Sequence, residues 1–178
     1  IPCAILEYTL HNSSPRTVEY EFSYHLSHLA PGCGKEQSIS RNTAIHKRGV
    51  FLHNLEKPNA EGYGSACLTA IGNEPRIKGM WLRSPGWEFD SLSALWREVS
   101  TGTFTANEGS NPIDTRGRNG GSILLAGALA PGESRTHPIL IAWHFPNCYL
   151  QVGGAALAQG GTDCRSSPEG ASPPWRPY

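Results

Sequence analysis

Residues 122–147 read Ser122-Ile-Leu-Leu-Ala-Gly-Ala-Leu-Ala-Pro-Gly-Glu-Ser-Arg-Thr-His-Pro-Ile-Leu-Ile-Ala-Trp-His-Phe-Pro-Asn147. Two apolar runs, 123–130 and 138–145, flank Pro131-Gly132-Glu133. Proline presets φ at one turn position and glycine supplies the next, so the stretch predicts a strand, a tight reversal and a strand. We read it as the final hairpin of a β protein.

Upstream, 4–10 and 17–24 predict a second hairpin around His11-Asn-Ser-Ser-Pro-Arg16. In its second strand Val18, Tyr20, Phe22 and Tyr24 alternate with Thr17, Glu19, Glu21 and Ser23. A period of two places the first set on a buried face and the carboxylates in water, as in an antiparallel sheet covered on one side. Residues 25–43 read as a long loop. Strands follow near 44–46, 49–53, 64–71 and 76–82, the last two separated by the turn residues Gly72-Asn73-Glu74-Pro75. One helix is expected after a cap at Asp90 or Ser91. Its apolar stripe is Leu92, Leu95, Trp96 and Val99, and Gly102 stops it. Residues 105–121 read as a polar loop, and 148–178 lack periodicity altogether. The expected fold is therefore mainly β: an antiparallel β-sandwich over 1–147 with one short helix, then a long irregular C-terminal segment, 148–178, that acts as a linker.

Composition agrees with one such domain. A chain of 178 residues buries roughly 70% of its unfolded surface, so neither a disulfide nor a metal is required. The content of 20 glycines and 14 prolines, with 38% apolar residues, suits a β fold rich in turns. Fifteen basic residues balance fifteen acidic ones, which removes the electrostatic footprint of a nucleic-acid partner. No run of 18 apolar residues exists to form a transmembrane segment. The five cysteines, Cys3, Cys33, Cys67, Cys148 and Cys164, are odd in number and dispersed. That favours free thiols in a cytoplasmic setting, with a Cys148–Cys164 bridge as the alternative for a secreted protein. Asn12-Ser-Ser is a glycosylation sequon by pattern, but Pro15 directly after it favours a turn.

Several segments together resemble a known family. They are Ile1-Pro2-Cys3-Ala4-Ile5-Leu6-Glu7-Tyr8-Thr9-Leu10-His11-Asn12, then Phe89-Asp90 with Leu95-Trp96 and Gly102. The Pro131-Gly132 strand pair ending in Trp143-His-Phe-Pro-Asn147 is a third, and Pro174-Trp175-Arg176-Pro177-Tyr178 a fourth. In this order they are similar to the N-terminal domain of the bile-acid β-glucosidase or non-lysosomal glucosylceramidase group, glycoside hydrolase family 116. The resemblance implies a non-catalytic β-sandwich that braces a C-terminal catalytic (α/α)6 barrel and shapes its substrate entrance. It implies a catalytic domain beyond Tyr178 as partner and a β-glycoside as that domain's substrate. It also implies an excerpt whose own N-terminal targeting signals are not visible. An independent carbohydrate-binding sandwich, or a protein-interaction domain, is the alternative.

The residues themselves offer little chemistry. Retaining glycoside hydrolysis needs two facing carboxyl groups about 5–5.5 Å apart. Glu88 with Asp90 is the best local pair, yet a helix cap and a solvated charge explain both, so no catalytic residue and no cofactor is assigned. His25, His28 and Cys33 are ligand types, but on a continuing strand the two histidines face opposite sides, so no metal site is assigned. Of the five tryptophans, Trp96 and Trp143 are expected in the core. Trp81 and Trp87 bracket Leu82-Arg-Ser-Pro-Gly86 and are the candidates for stacking on a sugar, with core or inter-domain packing as the favoured alternative for such large aromatics. Trp175 is the expected contact with the catalytic domain.

Overall fold

The turn at Pro131-Gly132 forms as its residues dictate, but the strands it joins lie in two different sheets. Gly132 sits at φ 75°, and the Glu133 N–H closes on the Ala130 carbonyl at 3.0 Å, a type II turn with proline and glycine in their preferred places. The computed structural model describes residues 2–30, 40–60, 62–81, 91–107, 113–115 and 120–147. Across them the elements run β1 (Cys3–His11), β2 (Val18–Ser27), β3 (Ser40–Ile45), β4 (Gly49–Asn54), β5 (Ser65–Ala70) and β6 (Arg76–Lys78). Helix α1 (Ser91–Ser100), β7 (Ile113–Thr115), β8 (Gly120–Leu129) and β9 (Ser134–His144) complete the order. One sheet has the order β1-β9-β5-β4-β3-β7 and the other β2-β8-β6. Every pair of these strands is antiparallel.

The fold is thus the expected antiparallel sandwich, mainly β with one short helix. Its connectivity differs from the expectation at both hairpins. β1 pairs with β9 and β2 with β8, so the 12–17 and 130–133 connections are arches that cross from one sheet to the other. A turn fixes only the reversal; which neighbours the two strands take is decided by burial of both apolar faces. The 71–75 turn likewise passes from β5 in the larger sheet to β6 in the smaller. True hairpins join β3 to β4 and β4 to β5.

Asn12 ties the two arches together. Its backbone continues the larger sheet's ladder, the N–H bonding Glu133 O at 2.9 Å while its carbonyl receives the Gly132 N–H at 2.8 Å. Its side chain crosses to the other sheet and donates to Leu129 O at 2.9 Å and Arg16 O at 2.8 Å. Its Oδ1 accepts from the Ser14 N–H at 3.0 Å and the Ser14 hydroxyl at 2.7 Å. The residue is buried, so each of these contacts removes a polar group that would otherwise be stranded. The sequon residue is a structural pin, as the turn reading expects.

The core lies between the sheets. Val50, Leu52, Ala66, Leu68 and Ile139 of the larger sheet meet Ile77, Ile123 and Leu125 of the smaller, with Leu6, Phe22, Tyr24, Ile141 and Trp143 at its margin. Strand β8 is buried along both faces over Gly120–Leu125. Beyond its outer face Lys78, almost fully buried, meets Glu98 of α1 at 2.9 Å and lies 5.5 Å from the Phe104 ring centre. Helix α1 ends in a Schellman motif, with Gly102 at φ 66°, Gly102 N–H on Val99 O and Thr103 N–H on Glu98 O.

Two packing expectations are corrected. The apolar stripe of α1 is not its inner face. Leu95 is buried, but Trp96 is 70% exposed and Leu92 55%. Bringing Glu98 onto Lys78 rotates the helix so that Leu95 and Glu98 face inward, and Trp96 swings to solvent. Val18 is 42% exposed because β2 begins beyond the edge of the core, whereas Phe22, Tyr24 and Leu26 do pack on it. Glu19 and Glu21 face water as expected.

Replacement of Asn12 tests the arch pin. Asn12→Ala removes the amide donor from the buried Leu129 carbonyl and leaves Arg16 O to the Ser14 hydroxyl alone, and should lower unfolding free energy in urea by about 1–3 kcal/mol. Val18→Asp, at an exposed strand end, should change it by no more than about 1 kcal/mol. Equal losses for the two variants would show that Asn12 carries no such role.

Candidate functional site

The outer face of the larger sheet carries the least expected chemistry in the molecule. Residues that alternate with the core positions point away from the sandwich, where polar and charged side chains normally stand. Strand register places Cys3, Ala142, Cys67, Phe51 and Thr43 in one row across five strands. The adjacent row is Ile5, Leu140, Thr69, Gly49 and Ile45. Neither row contains a charge. Ile5 is 56% exposed and Ile45 48%, and on the next row Ile71, itself exposed, donates its N–H to Pro138 O. Charges return only at the margins, at Glu7 beside Pro138 and at Arg41 beside His53. Gly49 is required here because a Cβ would strike the Leu68 carbonyl. An uncharged sheet face of this extent has the character of a docking surface.

A second exposed apolar element is the Leu92–Trp96 face of α1, one helical turn in length. The sequence reading put these residues in the core, and only the Lys78–Glu98 pairing reveals them as surface. The outer face of the larger sheet was also missed. Its signal is present in the sequence as apolar residues on both alternations of 3–10 and 138–145, which marks strands whose two faces are both sheltered.

Sequence-selected residues fall elsewhere. Trp81, a candidate for sugar stacking, is 3% exposed, and its Nε1–H donates to the Ser122 hydroxyl at 2.8 Å. The indole closes over Gly120, which leaves no open face for a sugar. Trp87, Trp175, Glu88, Asp90, Cys33, Cys148 and Cys164 lie outside the described residues. Trp143 is partly buried against the core as expected. His25 sits between two hydroxyls, Ser122 at 2.7 Å and Ser23 at 3.0 Å. His28, off the end of β2, is buried and accepts the Ala30 N–H at 3.1 Å. Among the described residues no three His, Cys, Asp or Glu side chains gather as metal ligands. Cys3 and Cys67 are free thiols.

Four of the described carboxylates are paired with cations, Glu21 with Arg76 at 3.6 Å among them. Glu74 meets Lys47 at 2.8 Å, Glu133 meets Arg135 at 2.8 Å and Glu98 meets Lys78. Burial pushes the Glu98 carboxyl up, but its bonds to Lys78 and the Thr105 N–H outweigh that and hold it below the usual range. Glu133 is lowered by the Ala130 N–H and then by Arg135, and Glu74 by its bond to Lys47. A general acid of glycoside hydrolysis needs the opposite shift, which Glu98, Glu133 and Glu74 do not show.

Residues 1–159 match the family described as beta-glucosidase 2, glycosyl-hydrolase family 116 N-term. The chain belongs to this family. Membership makes the parent protein a glycoside hydrolase and the chain part of its N-terminal domain. Comparison with curated proteins gives no match. Within the family 116 domain, the uncharged outer face and the Trp96 helix are the two surfaces to be explained.

Acid should weaken this domain in two stages. Burial lowers His25 and His28, and it lowers His53 and His137 together with nearby Arg41 and Arg135 respectively. A histidine lowered in the folded state costs nothing while neutral, and its penalty grows as pH falls from about 6.5, where the unfolded side chain protonates. Glu98, also lowered, contributes stability that is lost only at more acid pH, as it protonates. Melting temperature should therefore drop between pH 7.5 and 5. His137→Gln, which removes the imidazole stacked on Phe22, should make that drop shallower.

Proposed function

We propose that this domain is the non-catalytic N-terminal β-sandwich of a retaining β-glucosidase or glucosylceramidase-like enzyme. Its role is to brace the catalytic (α/α)6 barrel and contribute to the rim of the substrate entrance. The observation that carries the reading is the pair of charge-free rows on the outer face of the larger sheet. An uncharged sheet face exposing Ile5 and Ile45 costs solubility unless another surface covers it, and the neighbouring domain of the same polypeptide is the natural cover. Residues 1–147 form the sandwich in this reading, 148–178 lead to the barrel, and Trp175 contacts it.

One observation favours a second reading, an independent carbohydrate-binding sandwich. Trp96 exposes most of its indole on a helix, and pyranose rings stack on such faces through their axial C–H groups.

Association assays separate the two. Residues 1–178 alone should not turn over an aryl β-glucoside. When mixed with the separately produced catalytic domain they should bind it, and Ile5→Arg with Leu140→Arg should weaken binding at least about tenfold while leaving the circular dichroism spectrum unchanged. Undiminished association of the doubly substituted domain would remove the outer face from the interface. Binding of soluble β-glucan by residues 1–178, abolished by Trp96→Ala, would favour the second reading.

A further inference from the structure

A sandwich with two open sheets has four edge strands, and they differ in how they are guarded. Here the edges are β1 and β7 of the larger sheet and β2 and β6 of the smaller. β6 and β7 are three residues long, too short to recruit a partner strand. β1, with nine residues, and β2, with ten, each pair on one side and have no described strand on the other. Long free edges are templates for another strand unless charge or shape opposes it.

The sequence of β2 is nearly palindromic about Phe22: Val18-Glu19-Tyr20-Glu21-Phe22-Ser23-Tyr24-His25-Leu26. Antiparallel pairing of two copies about a two-fold axis at Phe22 sets Phe22 opposite Phe22 and Tyr20 opposite Tyr24. It sets Val18 opposite Leu26. On the other face Glu21 meets Ser23 and Glu19 meets His25. No like charges face one another, and the inner face is aromatic and aliphatic throughout. Such cross-strand pairs are the units that stabilise a sheet, and a two-fold contact uses every pair off the axis twice. The exposed Val18, which nothing in the monomer's core explains, gains an apolar neighbour. β1 lacks this property, because a two-fold axis at its centre places Glu7 against Glu7, and that repulsion guards the edge.

We infer that β2 is a homotypic docking edge and that two copies of this chain join through it. The two three-stranded sheets then become one six-stranded sheet across the two-fold axis. The flank itself suits the contact: Tyr8 of β1 lies 5.2 Å from Phe22 and 6.0 Å from Tyr24, centre to centre, so the seam between the two edges is already lined with aromatic rings.

Sedimentation velocity of the 178-residue chain across about 1–100 µM should show a concentration-dependent dimer. Ser23→Glu, which brings a second carboxylate opposite Glu21 at two symmetric places, should raise the dissociation constant about tenfold. Glu21→Arg added to Ser23→Glu should restore dimerisation, a rescue that loss of folding cannot mimic. Val18→Lys, at an exposed position, should weaken the dimer with an unchanged melting temperature. A monomer at every concentration overturns the inference. So does a dimer indifferent to Ser23→Glu but dispersed by Ile5→Arg, which would place the contact on the outer face instead.

Discussion

The side-chain amide of Asn12 is the constraint on which the arrangement depends. Two arches, one after β1 and one after β8, must close the same end of the sandwich with their strands in opposite sheets. An arch leaves carbonyls facing inward with no ladder partner, and burying them unpaired is expensive. Asn12 belongs to one sheet by its backbone and satisfies Leu129 and Arg16 carbonyls by its side chain. Because its backbone and its side chain serve different layers, β1 and β8 are held in fixed relation. The pairing of β1 with β9 and of β2 with β8 then follows.

The same device recurs at several other points among the described residues. Asn54 donates to Ala30 and Gly62 carbonyls, Asn42 to the Gly120 carbonyl, and Asn107 bonds both ends of the Gly79–Met80 segment. Asn147 closes on Pro58 and Ala60 carbonyls after β9. An asparagine has two donors and an acceptor on a short stem, so it substitutes for a missing strand partner without adding charge. This neutral bracing is compatible with a domain of zero formal charge whose broadest outer surface carries no charge in its two central rows.

How much of the candidate surface was legible depends on what each residue's environment adds to its type. Phe22, Tyr24 and Trp143 are placed correctly by periodicity, because a period of two in a strand maps directly onto two faces. Trp96 is placed wrongly, since Leu92, Leu95, Trp96 and Val99 satisfy helical periodicity whichever side turns inward. The tie is broken by a long-range ion pair between Lys78 and Glu98, and no local pattern encodes it. For Trp81, beside a loop, the sequence leaves packing and sugar contact both open, and the bond from its N–H to the Ser122 hydroxyl across the sheet decides for the core. The uncharged outer rows escape notice because each draws on five strands separated in sequence by up to about 140 positions.

The sequence by itself determined the class of fold, the positions of most strands, the turn at Pro131-Gly132, the end of the helix at Gly102 and the family. All of these rest on local chemistry: alternation, φ preference at proline and glycine, and short ordered motifs. Tertiary structure alone decided that two apparent hairpins are arches, that Trp81 is core and Trp96 is surface, and which rows of side chains share a face. The physical reason is that burial and hydrogen-bond satisfaction are collective. A turn fixes where the chain reverses, but its two strands take whichever neighbours leave the fewest apolar faces wet and the fewest carbonyls unpaired.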